Sequence, residues 1–270
     1  VIYLCHNMGP YHGFREKLYR QLLKGPCIIT RDHFSFVYLT QQLNLKNVIE
    51  SRDLAFLPLP DLADTVAVIP KGIFQDPYIT LVPSGAIAYY KLKTVGVAID
   101  AWTKVVQLLL NKFPDHNIVL LSHVYNVSSS NNDATLINGI YNRLDKISRL
   151  KPITSLIQPL EARRILGGSD FVFTARMHPS ISSYSQRRIA VNFAYSQKYF
   201  GVIAECMQLS ELVIDARKLI VGSDAFLKEL NATIDNIVEN KLCIEDIISH
   251  KVNHIQKMVQ DTINKIFMRL

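Results

Sequence analysis

Hydrophobic and polar positions follow two rhythms along this chain: short unbroken apolar runs, and longer stretches whose apolar residues recur with a helical period. The first run, Val1 to Cys5, leads into a Gly/Pro loop, His6 to Gly13, and then into an amphipathic stretch, Phe14 to Leu23. That order predicts a strand, a loop and a helix. A second unit opens at Cys27 to Thr30, where the apolar run ends on Arg31-Asp32. Phe34, Val37, Leu39 and Leu43 then carry a helical stripe behind an acidic cap. A third strand is expected at Asn47 to Ile49, followed by Arg52-Asp53 and the apolar Ala55-Phe56-Leu57.

Pro58, Pro60, Pro70, Pro77 and Pro83 are interleaved with short apolar pieces such as Tyr78 to Val82, and a connection between two lobes is expected there. Beyond it the pattern predicts helices at Val95 to Leu110, Ala134 to Ile147, Leu160 to Leu166, after Met177-His178 through Ser185, and around Tyr199 to Met207. Strands are expected at Asn117 to Ser122, Ile153 to Ile157, Asp170 to Thr174 and Ile189 to Phe193. Ser223 to Leu270 reads as two or more helices, with Ile244, Ile247, Ile248, Val252 and Ile255 at helical spacing. Alternating strands and helices imply right-handed crossovers, mostly parallel sheets flanked by helices, and ligands beyond the carboxyl ends of the strands. The expected division is 1–80 for a partial first α/β lobe with the connection, 81–220 for a second α/β lobe holding a donor site, and 221–270 for a helical C-terminal tail.

Composition narrows the class. Of 270 residues, 49% are hydrophobic and 20% charged, the usage of a globular chain rather than a disordered one. Lys and Arg outnumber Asp and Glu by 30 to 23, which suits anionic partners, but the excess is scattered and no nucleic-acid motif organises it. Nucleic acid is therefore not an expected partner. Cys5, Cys27, Cys206 and Cys243 form no CxxC pair, and His250 and His254, four apart, come without HExxH or a carboxylate triad, so no metal site is expected. No apolar run has membrane-spanning length and no signal-peptide pattern opens the chain, so a cytoplasmic setting is expected. The triplets Asn126-Val127-Ser128 and Asn231-Ala232-Thr233 are too common a pattern to argue otherwise. GxGxxG, GxxxxGK[ST] and GxSxG are all absent, which removes the main sequence support for dinucleotide, P-loop and α/β-hydrolase chemistry.

The most pointed stretch is Phe171 to Ser180, where Arg176-Met177-His178 follows a strand and opens a helix. A helix amino terminus offers N–H groups to an anion, an arginine adds a fork for carboxylate or phosphate, and a histidine gives or takes a proton. The competing reading pairs Arg176 with a core carboxylate such as Asp170 and leaves His178 as a helix cap. Arg31 stands at an equivalent strand end; it either reaches an anion or lies on the surface beside Asp32 as an N-cap. Tyr195, Ser196 and Lys198 follow another strand with hydroxyls and a cation, and His123 directly follows the strand ending at Ser122.

In order and spacing, these strand-end segments resemble the polysaccharide pyruvyl transferase family over nearly the whole chain. The pieces are the Gly9-Pro10 turn, Arg31-Asp32-His33-Phe34-Ser35, Asp53-Leu54-Ala55-Phe56, Arg176-Met177-His178, Tyr195-Ser196-Gln197-Lys198 with Gly201, and Val213-Ile214-Asp215. The resemblance implies a two-lobed GT-B-like fold and transfer of the enolpyruvyl carbons of phosphoenolpyruvate, as a ketal, onto a sugar of a surface or capsular polysaccharide or its lipid-linked precursor. It implies no cofactor. Arg176 and the Met177 backbone would belong to the phosphoenolpyruvate site, His178 would be the proton donor, and Arg31 a second anion contact; Lys198, Tyr195, Ser196 and His123 complete the candidate set. The chain begins on a strand-like run without Met, and the family's amino-terminal Gly-rich strand-turn-helix is missing, so the first lobe is expected to be truncated. An exposed strand edge would favour a homo-oligomer. Peripheral association with the inner face of a membrane is a further expectation. Two alternatives stand: a GT-B glycosyltransferase using a nucleotide sugar, which needs base- and ribose-binding residues not found in the second lobe, and a non-catalytic glycan-binding protein of the same fold.

Overall fold

A computed structural model describes residues 1–59, 75–87, 94–125, 132–196, 198–221 and 223–268. Pro60, Pro70, the Asn126-Val127-Ser128 triplet and Gln197 lie outside them. The chain divides into two compact units: unit 1 comprises 1–58, 196–210 and 250–270, and unit 2 comprises 59–195 and 211–249.

Unit 1 is built on strands β1 (Ile2–His6), β2 (Cys27–Thr30) and β3 (Val48–Glu50), parallel and in that order, with helices α1 (Phe14–Leu22) and α2 (His33–Val37) in the crossovers. Its core gathers Met8, Leu23, Ile28, Tyr38, Leu39, Leu43 and Leu45. Gly9 holds φ +80, and a Cβ there would stand 2.3 Å from the Tyr38 ring, so both the backbone and the space exclude a side chain. Asp32 caps α2 as its sequence position suggests, accepting from the Ser35 N–H at 2.8 Å. On β1, by contrast, Ile2, Tyr3 and Leu4 are exposed, and α1 buries none of its residues. An amphipathic pattern shows which face seeks cover; it does not supply the cover.

Unit 2 carries a six-stranded parallel sheet in the order β6-β5-β4-β7-β8-β9, from strands β4 (Tyr78–Val82), β5 (Asn117–Leu121), β6 (Leu150–Ile153), β7 (Val172–Thr174), β8 (Ala190–Ala194) and β9 (Val213–Asp215). The helices are α3 (Gly85–Ile87), α4 (Val95–Lys112), α5 (Asp133–Arg143), α6 (Pro159–Gly168), α7 (Met177–Ser185), α8 (Arg217–Val221) and α9 (Ser223–Glu239); α10 (Lys241–Phe267) ends the described chain. Every residue of β4 and β8 is buried, as parallel strands covered on both faces should be. Helix α4 turns Ala98, Ala101, Trp102, Val105, Val106, Leu109 and Leu110 inward at helical spacing. Arg149 closes its carboxyl end by donating to the carbonyls of Leu110, Phe113 and His116 at 3.1, 2.9 and 3.0 Å. The apolar stripe of α10 is buried at Ile244, Ile248, Val252, Ile255 and Val259, while Ile247 stays exposed.

Three findings differ from the sequence expectation. Tyr78–Val82 is a central strand and not a piece of connecting chain; Pro77 and Pro83 flank the ladder, where a missing N–H costs nothing, and the Pro77 carbonyl accepts from Asn117 at 2.9 Å. Strand β6 runs Leu150–Ile153 instead of Ile153 to Ile157, and tolerates Pro152 because β6 is an edge strand. Finally, the units are not contiguous segments, because 196–210 and 250–270 return to unit 1. Among the described residues no helix is long and apolar enough to cross a membrane.

The fully buried Phe193 ring lies 5.6 Å from that of Trp102 and 5.3 Å from that of Phe226. Replacing it leaves a cavity that these rings cannot fill, so Phe193→Ala should lower the unfolding free energy by about 3–5 kcal/mol in a urea titration.

Candidate active site

Strand order fixes where a ligand can sit in unit 2. From β4 the chain steps outward to β5 and β6, then returns to the other side of β4 as β7 and proceeds to β8 and β9. The carboxyl ends of β4 and β7 therefore flank a switch point, the place where loops part and leave a crevice. Ser84 and Gly85 follow β4, His123 follows β5, and Ala175 to His178 follow β7.

One carboxylate ties these ends together. Asp133, the first residue of α5 and fully buried, accepts from the Gly85 N–H at 2.9 Å, the Val124 N–H at 2.9 Å and the His123 N–H at 3.3 Å. It also accepts from Arg176 Nη2 at 2.6 Å and Nε at 3.2 Å. A buried charge is tolerable only when paired and hydrogen-bonded, and here both conditions are met for acid and base alike. Arg176 is 9% exposed, and its Nε and Nη2 donors both go to the Asp133 carboxylate.

The start of α7 is equally constrained. Arg176 is its N-cap with extended backbone, φ −118 and ψ 133, and gives no side-chain hydrogen bond to the first turn. Thr174 Oγ1 brackets it, accepting from the Arg176 N–H and donating to the Arg176 carbonyl, both at 2.9 Å. Met177 is buried and anchors the turn, while His178 is exposed beside it. Behind the turn, buried Asn192 of β8 hydrogen-bonds Ser180 of α7 and donates to the Tyr184 hydroxyl at 2.9 Å, which clamps helix to strand.

His123 feels the same neighbourhood. Its pKa is lowered to about 4, chiefly by burial and then by the nearby His178 and Arg176, with Asp133 opposing them. Its imidazole is therefore neutral at ordinary pH. Together the strand ends present a helix amino terminus, an oriented guanidinium, a neutral imidazole and an exposed imidazole: parts suited to holding an anion and moving a proton.

His123, Arg176, Met177 and His178 thus come to neighbouring strand ends of one unit, and half-buried Tyr195 follows β8 in the same unit. Ser196, Lys198 and Arg31 belong to unit 1. There Ser196 has a buried hydroxyl without a hydrogen-bond partner among the described residues. Lys198 is exposed over a cavity of about 120 Å³ that Asn7, Pro10, Asp32 and Tyr38 also line. Arg31 neither lies on the surface nor points to open solvent; its side chain is 18% exposed, held by Asp53 at 2.9 Å and by Asn7. Arg176 is thus paired with a core carboxylate, as the competing reading expected, but that carboxylate is Asp133 and not Asp170. Asp170 pairs with Lys241 at 2.9 Å and His116 at 3.0 Å, and although burial disfavours its charge, these hydrogen bonds prevail and lower its pKa. Asp133 and Gly85 escaped the sequence reading. Asp133 looked like the edge of a polar loop before a helix, and its partner Arg176 lies 43 residues away.

Comparison with known proteins adds the family. The family profile of polysaccharide pyruvyl transferase matches residues 6–197. The chain belongs to that family. None of the curated proteins compared with it matches. Among solved structures, MnaA of S. aureus, solved with UDP, is similar at 12% identity and a TM-score of 0.65, covering 98% of this chain and 68% of that one. UDP-GlcNAc 2-epimerase of Neisseria meningitidis, bound to UDP-GlcNAc, gives 11%, 0.61, 99% and 69%. Sucrose-phosphate synthase of Thermosynechococcus elongatus gives 10%, 0.57, 94% and 61%. The chain thus spans 61% to 69% of these proteins' lengths, and at such identities the likeness is one of fold: GT-B-like, with parallel sheets flanked by helices and a helical C-terminal tail.

Removing the Asp133 charge strands a buried guanidinium, so Asp133→Asn should cost about 3–5 kcal/mol in chemical denaturation. A pH series gives a second check. The unfolded chain protonates His123 near its ordinary 6.5, whereas the folded chain resists until about 4. Stability should therefore fall as pH drops through that window, and His123→Gln should flatten the slope of Tm against pH there.

Proposed function

We propose that the crevice beside α7 takes phosphoenolpyruvate and that this chain's family chemistry is transfer of its enolpyruvyl carbons, as a ketal, to a sugar of a surface polysaccharide or its precursor. The observation that carries the reading is the conjunction of a helix amino terminus, a buried oriented Arg176 and an exposed His178 at a switch point of the sheet. Phosphoenolpyruvate asks for that combination. Its carboxylate and phosphate need N–H donors, which the first turn of α7 and Arg176 provide. Its methylene carbon needs a proton, which His178 donates; cationic character then develops at the neighbouring carbon, an acceptor hydroxyl adds there, and phosphate departs as a second hydroxyl closes the ketal. Asp133 holds the guanidinium in place before the anion arrives, so no reorientation is needed on binding. His123, kept neutral by burial, adds a donor without a competing full charge. Tyr195 is a further candidate contact from the end of β8. Arg31, Ser196 and Lys198 lie in the other unit, and the reading does not depend on them.

A nucleotide-sugar glycosyltransferase is the competing reading, since two of the similar structures hold UDP or UDP-GlcNAc. Those proteins share the fold, however, and among the described residues the strand ends named above bring together no acidic pair for a ribose. A coupled assay of phosphate release from phosphoenolpyruvate in the presence of a glycan acceptor tests the proposal. His178→Ala should lower kcat by about 10²- to 10⁴-fold, the usual weight of a general acid, while phosphoenolpyruvate still binds. Unchanged turnover in that variant would remove His178 from the chemistry.

A further inference from the structure

We propose that unit 1 carries its own binding site for a phosphorylated sugar, in a cavity of about 590 Å³ between the carboxyl end of β3 and one face of α10. Its size falls within the range of small-ligand pockets, and its place beyond the end of a parallel strand is where such sheets hold ligands. Glu50 and Arg52 supply the strand-end wall; His254, Lys257, Asp261 and Lys265, spaced along one face of the helix, supply the other. The helix wall is fastened to the strand end: Ser51 Oγ meets Thr262 Oγ1 at 3.2 Å, and Gln256 Nε2 donates to the Phe56 carbonyl at 2.8 Å.

The charges indicate the ligand. Glu50 is already matched by Arg52 at 2.9 Å and His33 at 3.3 Å. Lys257 and Lys265 each stand one helical turn from Asp261, yet neither makes an ion pair or hydrogen bond with it or with any other described residue. Two lysines facing a cavity suit a phosphate dianion, while the Asp261 and Glu50 carboxylates beside them accept hydroxyl hydrogens. Inorganic phosphate alone would meet those carboxylates unfavourably, and an uncharged sugar would leave both lysines without a counter-charge. A sugar with a phosphate attached satisfies both sets. That this ligand is also the acceptor rests on the pyruvyl-transfer reading; the site itself does not.

Titration calorimetry on the full chain, without phosphoenolpyruvate, tests the site with glucose 1-phosphate, glucose and inorganic phosphate as probes. Glucose 1-phosphate should bind at least about tenfold more tightly than either of the others, and the exposed double variant Lys257→Ala/Lys265→Ala should weaken it by about tenfold or more at unchanged Tm. The proposal is overturned if no probe binds, if inorganic phosphate binds as tightly as the sugar phosphate, or if the double variant binds as the parent does. His178→Ala should leave glucose 1-phosphate binding intact, which separates failure of this site from failure of the donor assignment.

Discussion

The Asp133–Arg176 pair is the constraint on which the arrangement of unit 2's strand ends depends. Two opposite charges have been taken almost wholly out of water, and that is affordable only because the carboxylate is met by five N–H groups from three separate connections. Removing any one partner would leave a donor or a charge unsatisfied in a medium that cannot replace it. The chain after β4, the chain after β5 and the first turn of α7 are consequently fixed relative to one another, and the exposed His178 inherits that fixity from buried neighbours on either side, Met177 and Pro179.

The same device recurs at a smaller scale in unit 1. Arg31 directly follows β2 as Arg176 closely follows β7, and it is held by Asp53, an acid that also caps its own short helical turn by accepting from the Ala55 N–H at 3.0 Å. Asp32 next to it accepts from both the N–H and the hydroxyl of Ser35. In parallel sheets the carboxyl ends of strands and the amino ends of helices converge, and aspartates are short enough to satisfy the N–H groups gathered there. An arginine among them becomes an oriented donor rather than a mobile surface cation.

Much of the architecture was legible in the chain. Helix α4 follows its apolar stripe almost residue for residue, the strand ends at Thr30 and Thr174 fall where the apolar runs stop, and Asp32 caps as its position suggests. What was not legible depends on partners distant in sequence. Tyr78–Val82 has the composition of an apolar piece in a proline-rich connection, and only pairing with β5 on one side and β7 on the other makes it the centre of a sheet. Asp170 sits much nearer Arg176 in sequence than Asp133 does, yet it precedes β7 while Arg176 follows it, and its partners are His116 and Lys241. The cavity under α10 was hidden for the same reason: His254, Lys257 and Lys265 look like an ordinary solvated face until the end of β3 is set against them.

The measurement closest to the central claim is a thermal-stability titration of the protein with phosphoenolpyruvate and, separately, with UDP-GlcNAc. A ligand that binds the folded chain raises its Tm by mass action. A rise with phosphoenolpyruvate and none with UDP-GlcNAc is the predicted result; a rise with UDP-GlcNAc alone would contradict the account and make the crevice beside α7 a nucleotide-sugar site.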